Sequence, residues 1–284
     1  MAKLIVVATP IGNLNDLTEN MRRALAECDL VAAEDTRVTL KLLNHLGLKK
    51  PMTSCHRHNE AQRSAEIVGR MLEEDLTVCL TSDAGTPAIS DPGAVLVAAA
   101  RAAGIPVTAA AGPSAMIAAL SVSGFTPGPF TFLGFLPRER AALDAALSDF
   151  EKTGVPVFVA YESPHRVVKL LEAVAAKFPA ARVLSACDLT KKYERIDCGA
   201  AEAVLEALKN NPSVEKGEYV IAVELPPRET PDAPEKPADA ALAILGAMLD
   251  GASLADAADA ALAHFPRNEV YRARLKVKGF LQEG

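Results

Sequence analysis

The sequence predicts an α/β protein of two domains followed by a small helical segment. Three observations lead there. Short apolar runs alternate with stretches of helical periodicity through the first 120 residues, then a segment dense in proline, glycine and phenylalanine interrupts the alternation near Phe125. Further on, a stretch rich in proline and charge separates a helical remainder from the bulk of the chain. The 284 residues, 50% hydrophobic and 23% charged, suffice for a sizeable core, and the length suits two modest domains better than one. The expected division is 1–117, 118–226 and a linker with helical tail over 227–284.

Taken in order, residues 3–8 form an apolar strand. Leu17, Met21, Leu25 and Cys28 then recur at helical spacing before a second strand over 30–33, which makes a β-α-β unit. A helix over 38–46 stops at Gly47, suited to a left-handed cap. Asn59 with Gln62 reads as a capping box ahead of the apolar stripe Ile67, Val68, Met71, Leu72. A strand over 77–81 enters the loop Ser82 to Gly93, where Asp91-Pro92 is expected to cap and start a helix ending near Gly104. A strand over 105–109 leads to Ala111-Gly-Pro-Ser-Ala115 and another apolar helix. Such alternation predicts a mainly parallel sheet with helices on both faces.

No helix crosses 125–137 intact, which marks the passage into the second domain. Strands near 155–161, 182–187, 194–198 and 218–225 interleave there with helices over 138–152, 164–178 and 200–210, and a mixed sheet is expected. Residues 226–237 read as a linker. Helical patterns follow over 238–250, 253–264 and 268–280. The last of these sets Arg267, Arg272, Arg274, Lys276 and Lys278 against Glu269 alone, a basic helix closing an acidic chain.

The net charge of −6 excludes a protein that coats nucleic acid by bulk electrostatics, though not a local basic face. Five cysteines form no C-x-x-C pair and their odd number cannot close completely into disulfides; Cys28, Cys79 and Cys187, inside apolar segments, read as reduced core thiols, as in a reducing compartment. No apolar run approaches the roughly 18 residues that span a bilayer, and the start runs straight into a strand instead of a signal peptide. A cytoplasmic location without membrane association is expected.

Three loops at strand ends carry the chemistry-bearing pattern: Thr9-Pro-Ile-Gly-Asn-Leu14, Ser82 to Gly93, and Ala111 to Ala115. In an open parallel sheet ligands bind beyond the carboxyl ends of the strands, and small residues let backbone amides approach them. None of the three fits the dinucleotide or P-loop fingerprints. Turn chemistry alone explains any one of them.

Other clusters admit two readings each. Glu34-Asp35-Thr36-Arg37 is either a helix cap with a local ion pair or a pair of carboxylates and a guanidinium for catalysis. Cys55-His56-Arg57-His58 invites a zinc reading, but without a distant partner pair a loop and helix start is preferred, and no metal is expected. Glu162-Ser-Pro-His-Arg166 caps a helix or presents its start to a phosphate, with Lys191, Lys192 and Arg195 extending the basic face. The terminal cations form either a solvated face or an RNA contact.

Together the motifs become recognisable. Ala8-Thr-Pro-Ile-Gly-Asn-Leu14, Ala33-Glu-Asp-Thr-Arg37, His58-Asn-Glu60, Ser82-Asp-Ala-Gly-Thr-Pro87 with Asp91-Pro-Gly93, Gly134-Phe-Leu-Pro137, Tyr161-Glu-Ser-Pro-His-Arg166, Leu189-Thr-Lys191 and Lys216-Gly-Glu218 occur in this order. The series resembles the ribosomal RNA small subunit methyltransferase I family, and covers nearly the whole chain. The resemblance implies a two-domain tetrapyrrole methylase-like (class III S-adenosylmethionine methyltransferase) fold that binds S-adenosyl-L-methionine between its domains. It implies 2′-O-methylation of a cytidine in the decoding region of 16S rRNA, on free rRNA or the small subunit, by a homodimer.

By the same resemblance, cofactor contacts fall on Pro10, Gly12, Asp83, Ala84, Gly85, Pro87, Ser114 and Ala115, completed by Leu136, Tyr161 and Ala222. Catalytic candidates are Glu34, Asp35, Arg37, His58, Glu162 and Lys191, because a ribose hydroxyl is poorly acidic and gains from a base or a cation. RNA-binding candidates are His165, Arg166, Lys192, Arg272, Arg274 and Lys276. The chain departs from the family in having Arg57 where an acid is usual and Asp188 where Glu is common. A tetrapyrrole methyltransferase sharing the cofactor architecture, or a nonenzymatic RNA-binding assembly factor, are the alternatives.

Overall fold

The structure, a computed structural model, describes residues 1–227 and 239–282. The expected linker lies beyond Pro227 outside the described residues. Contacts divide the chain into two units, Met1–Pro226 and Pro227–Gly284.

In the first unit, β1 (Lys3–Val7), β2 (Leu30–Ala33), β3 (Met52–Ser54), β4 (Thr77–Thr81) and β5 (Val107–Ala110) form one sheet in the order β3-β2-β4-β1-β5, every pair parallel. Strand periodicity explains how both faces are covered. Val78 and Leu80 point to one side and pack with Ile67 and Met71 of α3 (Glu60–Glu74) and Leu96 of α4 (Ala94–Ala102). Cys79 and Val31 point to the other, onto Met21 and Leu25 of α1 (Glu19–Glu27) and Leu42 and Leu43 of α2 (Thr36–His45). β1 connects to β2 on one side and β4 to β5 on the other, so the loops leaving β1 and β4 part at the carboxyl edge.

Two expected helix caps do not form. α4 begins at Ala94 with Gly93 as its N-cap at φ +128°, so Asp91-Pro92 lies ahead of the helix and does not start it. The cap comes instead from Glu60, a buried side chain whose Oε1 accepts hydrogen bonds from the amides of Gly93 (2.6 Å) and Val95 (3.0 Å). Asn59 and Gln62 do not make a capping box either. The Asn59 side chain accepts from the His56 amide and donates to Ser54, while Gln62 donates to Glu66.

The second sheet has the order β6-β7-β10-β8-β9: β6 (Phe130–Phe135), β7 (Val157–Glu162), β8 (Arg182–Cys187), β9 (Arg195–Ala200) and β10 (Tyr219–Glu224). It is mixed, as expected, with β6 parallel to β7 and the other pairs antiparallel. The segment over 125–137 is more than a crossing, since it holds the edge strand β6, irregular between Phe132 and Gly134 where Gly134 takes φ +61°. α6 (Arg140–Lys152), α7 (Val167–Lys177) and α8 (Ala201–Lys209) cover one face, with Leu147, Leu171 and Leu208 against Phe158, Val183 and Ile221. The opposite face receives α5 (Ala115–Ser121), whose fully buried Ala119 meets Val159, Leu184 and Ala222, and Ile11 from the β1 loop joins the same cluster. That apolar wall ties the two sheets together.

The second unit consists of α9 (Ala240–Leu249), α10 (Leu254–Ala261) and α11 (Arg267–Gln282) around Ile244, Ala257, Val270, Ala273 and Val277. The 3/4 spacing of Val270, Ala273 and Val277 leaves the cations of α11 exposed. Among the described residues no helix is long and apolar enough to cross a membrane.

Candidate functional site

The loops leaving β1 and β4 are joined by a reciprocal pair of main-chain bonds, Thr9 N to Gly85 O at 2.7 Å and Gly85 N to Thr9 O at 3.0 Å, and by the Thr9 hydroxyl to Ser82 O at 3.1 Å. Gly85 sits at φ +76°, and a Cβ there would meet nothing closer than Ile11 Cγ2 at 3.6 Å. Conformation, not crowding, therefore requires glycine at this bend. Further along the loop Ala88 and Ser90 hold φ of 69° and 66° without being glycine, a local strain concentrated on one segment.

Gly12 is constrained differently. A Cβ there would lie 2.9 Å from Leu189 O and Thr190 Oγ1 and would run into the Lys191 side chain. The Asn13 amide adds a bond to Thr190 Oγ1 at 3.1 Å, so the β1 loop is seated on the turn that follows β8. That turn is itself strained, with Asp188 at φ 51° and Thr190 at 66°.

Between these loops lies a cavity of about 550 Å³, within the range of small-molecule sites. One wall is backbone and small side chains from Ala84, Gly85, Ser114 and Ala115; another is apolar, from Ile11, Met116, Ile117, Phe135 and Tyr161. Tyr161 is fixed edge-on to Phe132 and Phe135, with ring centroids 4.9 and 5.9 Å away, and burial raises its hydroxyl pKa. Four carboxylates line the space as well: Asp91, Glu162, Asp188 and Glu218.

Their environments differ. The Lys191 ammonium bridges Asp188 Oδ1 at 2.9 Å and Glu218 Oε2 at 2.8 Å; burial draws it down, but these bonds outweigh burial and hold it above the ordinary lysine value. Lys191 therefore stays charged and serves as a fixed cation rather than a base. Glu162 Oε1 accepts from the Ser163 amide at 2.7 Å, and its Oε2 pairs with the Arg166 guanidinium at 3.1 Å. Among the described residues Asp91 has neither an ion pair nor an amide hydrogen bond. Burial pushes its carboxyl up to about 6, reinforced by the Glu34 charge and opposed by a hydrogen bond from the Ser82 hydroxyl.

The structure thus brings Ala84, Gly85, Ser114, Ala115, Tyr161, Glu162 and Lys191 to the cavity. Pro10 and Gly12 shape the loop beside it, and Pro87 is a buried residue within the Ser82 to Gly93 loop, outside the lining. Asp83 Oδ1 accepts from the Asp35 amide at 3.1 Å, and Glu34 Oε2 accepts from the Asp83 amide at 3.2 Å, so the β2 and β4 loops brace each other. Burial raises the pKa of both Glu34 and Asp83. Leu136 and Ala222 are core side chains away from the lining. Asp35 caps α2 through the Arg37 amide at 2.8 Å, and the hydrogen bond from the Arg37 guanidinium holds its carboxyl down to about 2. Both the cap and the ion pair of that motif are present.

His58, His165 and Lys192 are exposed, whereas Arg166 is committed to Glu162 and to the carbonyls of Leu136 and Pro137 at 2.9 and 3.0 Å. Arg272, Arg274 and Lys276 sit exposed on α11 in the second unit. Asp91 and Glu218 are cavity residues that sequence reasoning did not single out. Asp91 was hidden by resembling a helix cap, and its only advertisement is a carboxylate in a loop of small residues.

The profile of tetrapyrrole (corrin/porphyrin) methylases matches residues 3–205. Ribosomal RNA small subunit methyltransferase I of Xylella fastidiosa is 42% identical over 222 residues, 78% of this chain and 81% of that protein. The protein of the same description from Escherichia coli O157:H7 is 38% identical over 280 residues, covering 98% and 96%. Among solved structures, the methyltransferase CobJ aligns with a TM-score of 0.58 at 19% identity, covering 79% of this chain and 95% of that one. Uroporphyrin-III C-methyltransferase from Thermus thermophilus complexed with S-adenyl homocysteine aligns at 0.55 and 18%, covering 79% and 97%. At such identities the structural matches speak for the fold.

Proposed function

Because the chain belongs to the tetrapyrrole methylase family, and within it to the ribosomal RNA small subunit methyltransferase I family, we propose that it is an S-adenosylmethionine-dependent methyltransferase acting on small-subunit rRNA. The observation that carries this reading is the cavity at the carboxyl edge of the first sheet. Its donor set fits the cofactor: peptide groups around Gly85 and Ser114 for the polar end, and the Ile11, Met116 and Tyr161 wall for the adenine. When bound, that cofactor supplies a methyl group on a sulfonium, already a good leaving group.

The chain's own residues then have to orient, exclude water and move a proton. The braced β1, β2 and β4 loops fix the walls, so positioning contributes much of the rate. Lys191, fixed between Asp188 and Glu218, places a permanent positive charge where an acceptor phosphate or developing alkoxide gains from it.

The acceptor we assign is the 2′-hydroxyl of a cytidine in the decoding region of 16S rRNA, modified in the cytoplasm by a homodimer. The exposed cations of α11 support an RNA acceptor over an acidic macrocycle. Arg267, Tyr271, Arg274 and Lys278 recur at i, i+4, i+7 and i+11 and so share one face, an aromatic among cations as single-stranded RNA prefers. The test is incubation of small subunits lacking the modification with labelled cofactor, followed by mass mapping of the product. Methyl on the cytidine ribose is expected; methyl on a base, or on uroporphyrinogen-type substrates alone, refutes the assignment.

A further inference from the structure

We propose that Asp91 is the general base that takes the proton from the acceptor hydroxyl, an inference that rests on the methyl-transfer reading above. The cavity offers four carboxylates, and three are already neutralised by fixed partners. Glu162 is held by the Ser163 amide and Arg166, with its side chain 1% exposed. Asp188 is held by Lys191 and by the Glu218 amide at 3.3 Å, and Glu218 shares the same ammonium. A carboxylate held in an ion pair with a neighbouring cation is not free to move toward a substrate.

Asp91 alone among them has no ion pair with a described residue, and the nearby Ser82 hydroxyl, which favours its charge, also reaches the carbonyls of Ala84 at 3.3 Å and Gly85 at 3.4 Å. It is half-buried in the cavity wall, next to Ser90 in a left-handed conformation, and downstream of the glycine bend that opens the wall to a ligand. The groups facing it are Glu34 from the end of β2, Asp83 beside Ser82 after β4, Arg57 ahead of α3, and the Tyr161 hydroxyl from β7. Two negative neighbours and burial outweigh the one cation. The carboxyl is raised to about 6, close to the value at which a base is both ionised and proton-accepting at neutral pH.

The step balances with the donor named above. As the hydroxyl oxygen bonds to the methyl carbon, the carbon–sulfur bond breaks and its electron pair stays on sulfur, discharging the sulfonium. The hydroxyl proton moves to a carboxylate oxygen of Asp91, which releases it to water once the product has left.

Asp91→Asn and Asp91→Glu test the assignment in the full chain. Single-turnover methylation of unmodified small subunits at saturating cofactor is expected to fall about 100-fold or more in Asp91→Asn and to recover in part in Asp91→Glu. Calorimetry should find the dissociation constant for S-adenosylhomocysteine within about three-fold of wild type in both. The wild-type rate should climb about tenfold per pH unit to an inflection near 6, and this limb should vanish in Asp91→Asn. Without any turnover, carboxyl-carbon NMR of Asp-labelled protein should show one titration near 6 that the Asn variant lacks.

An Asp91→Asn enzyme within about three-fold of the wild-type rate overturns the proposal. So does a rate loss matched by an equal loss of S-adenosylhomocysteine binding, which would make Asp91 a cofactor-holding residue. Wild-type protein that binds S-adenosylhomocysteine yet leaves rRNA unmethylated defeats the RNA reading instead, whatever the NMR titration shows.

Discussion

Removing the Glu60 carboxylate should unfasten the loop that shapes the cavity, although Glu60 itself lies outside it. Glu60 Oε1 receives the Gly93 amide at 2.6 Å and the Val95 amide at 3.0 Å, and so supplies the cap that α4 lacks locally. Hydrogen bonds to a charged acceptor contribute about 1.5–3 kcal/mol each. The Gly93 bond is buried, while the Val95 bond is partly exposed and water replaces some of it. The loss in Glu60→Ala is therefore about 3 kcal/mol, equivalent to a fall in melting temperature of about 6–12 °C for a unit of this size. Glu60→Gln keeps the acceptor oxygen and loses the charge, which should cost about half as much because charge-assisted bonds are roughly twice as strong as neutral ones. Thermal unfolding of the three proteins measures this series, and calorimetry with S-adenosylhomocysteine should show weaker binding in the same order. An alanine variant melting within about 2 °C of wild type, or a glutamine variant as damaged as alanine, would refute the capping argument.

Other substitutions separate the remaining physical causes. Gly85→Ala adds strain at φ +76° with no clash and should cost about 1–2 kcal/mol, whereas Gly12→Ala forces Leu189 and Thr190 away from the β1 loop and should also open the cavity; unfolding and cofactor titration distinguish the two. For Asp91 the sign follows from a folded value of about 6 above an unfolded one of about 3.8. The folded state holds the proton more tightly, so the ionised carboxyl destabilises the protein at neutral pH, and this penalty disappears as pH falls from about 6 to 4. Asp91→Asn should thus be more stable than wild type at pH 7, by about 1–2 kcal/mol after screening at a half-buried site, and no more stable at pH 4; paired denaturation curves check it. Neutralising Arg274 and Lys278 together should flatten the slope of log affinity against log salt for RNA by about 0.7 for each phosphate that is no longer neutralised, and leave cofactor affinity unchanged, as filter binding across a salt series would show.

Much of the fold was legible because burial on both faces writes itself into residue type. The runs at 30–33, 77–81 and 182–187 fall on β2, β4 and β8 with the expected limits. β6 was hidden by the proline and glycine around it, and only its pairing with β7 makes it a strand. The spacing at Asn59-Gln62 and Asp91-Pro92 misleads for a related reason. Local spacing states what a side chain can bond, but Ser54 and His56 take the Asn59 side chain, and Glu60, more than thirty residues before α4, takes the amides that Asp91 was expected to cap.

The amino-acid order alone determined which backbones bend and where small residues must stand, because the conformational demand at Gly85 or Gly47 acts on that residue itself. The tertiary structure decided which charges are spent. Arg166 goes to Glu162, Lys191 to Asp188 and Glu218, and Asp91 is left without an ion pair among the described residues. The Lys191–Glu218 pair and the bonds from Arg166 to the carbonyls of Leu136 and Pro137 join residues far apart in the chain, and the water that Asp91 keeps depends on neighbours from other loops; none of this is set until the two sheets close on one another.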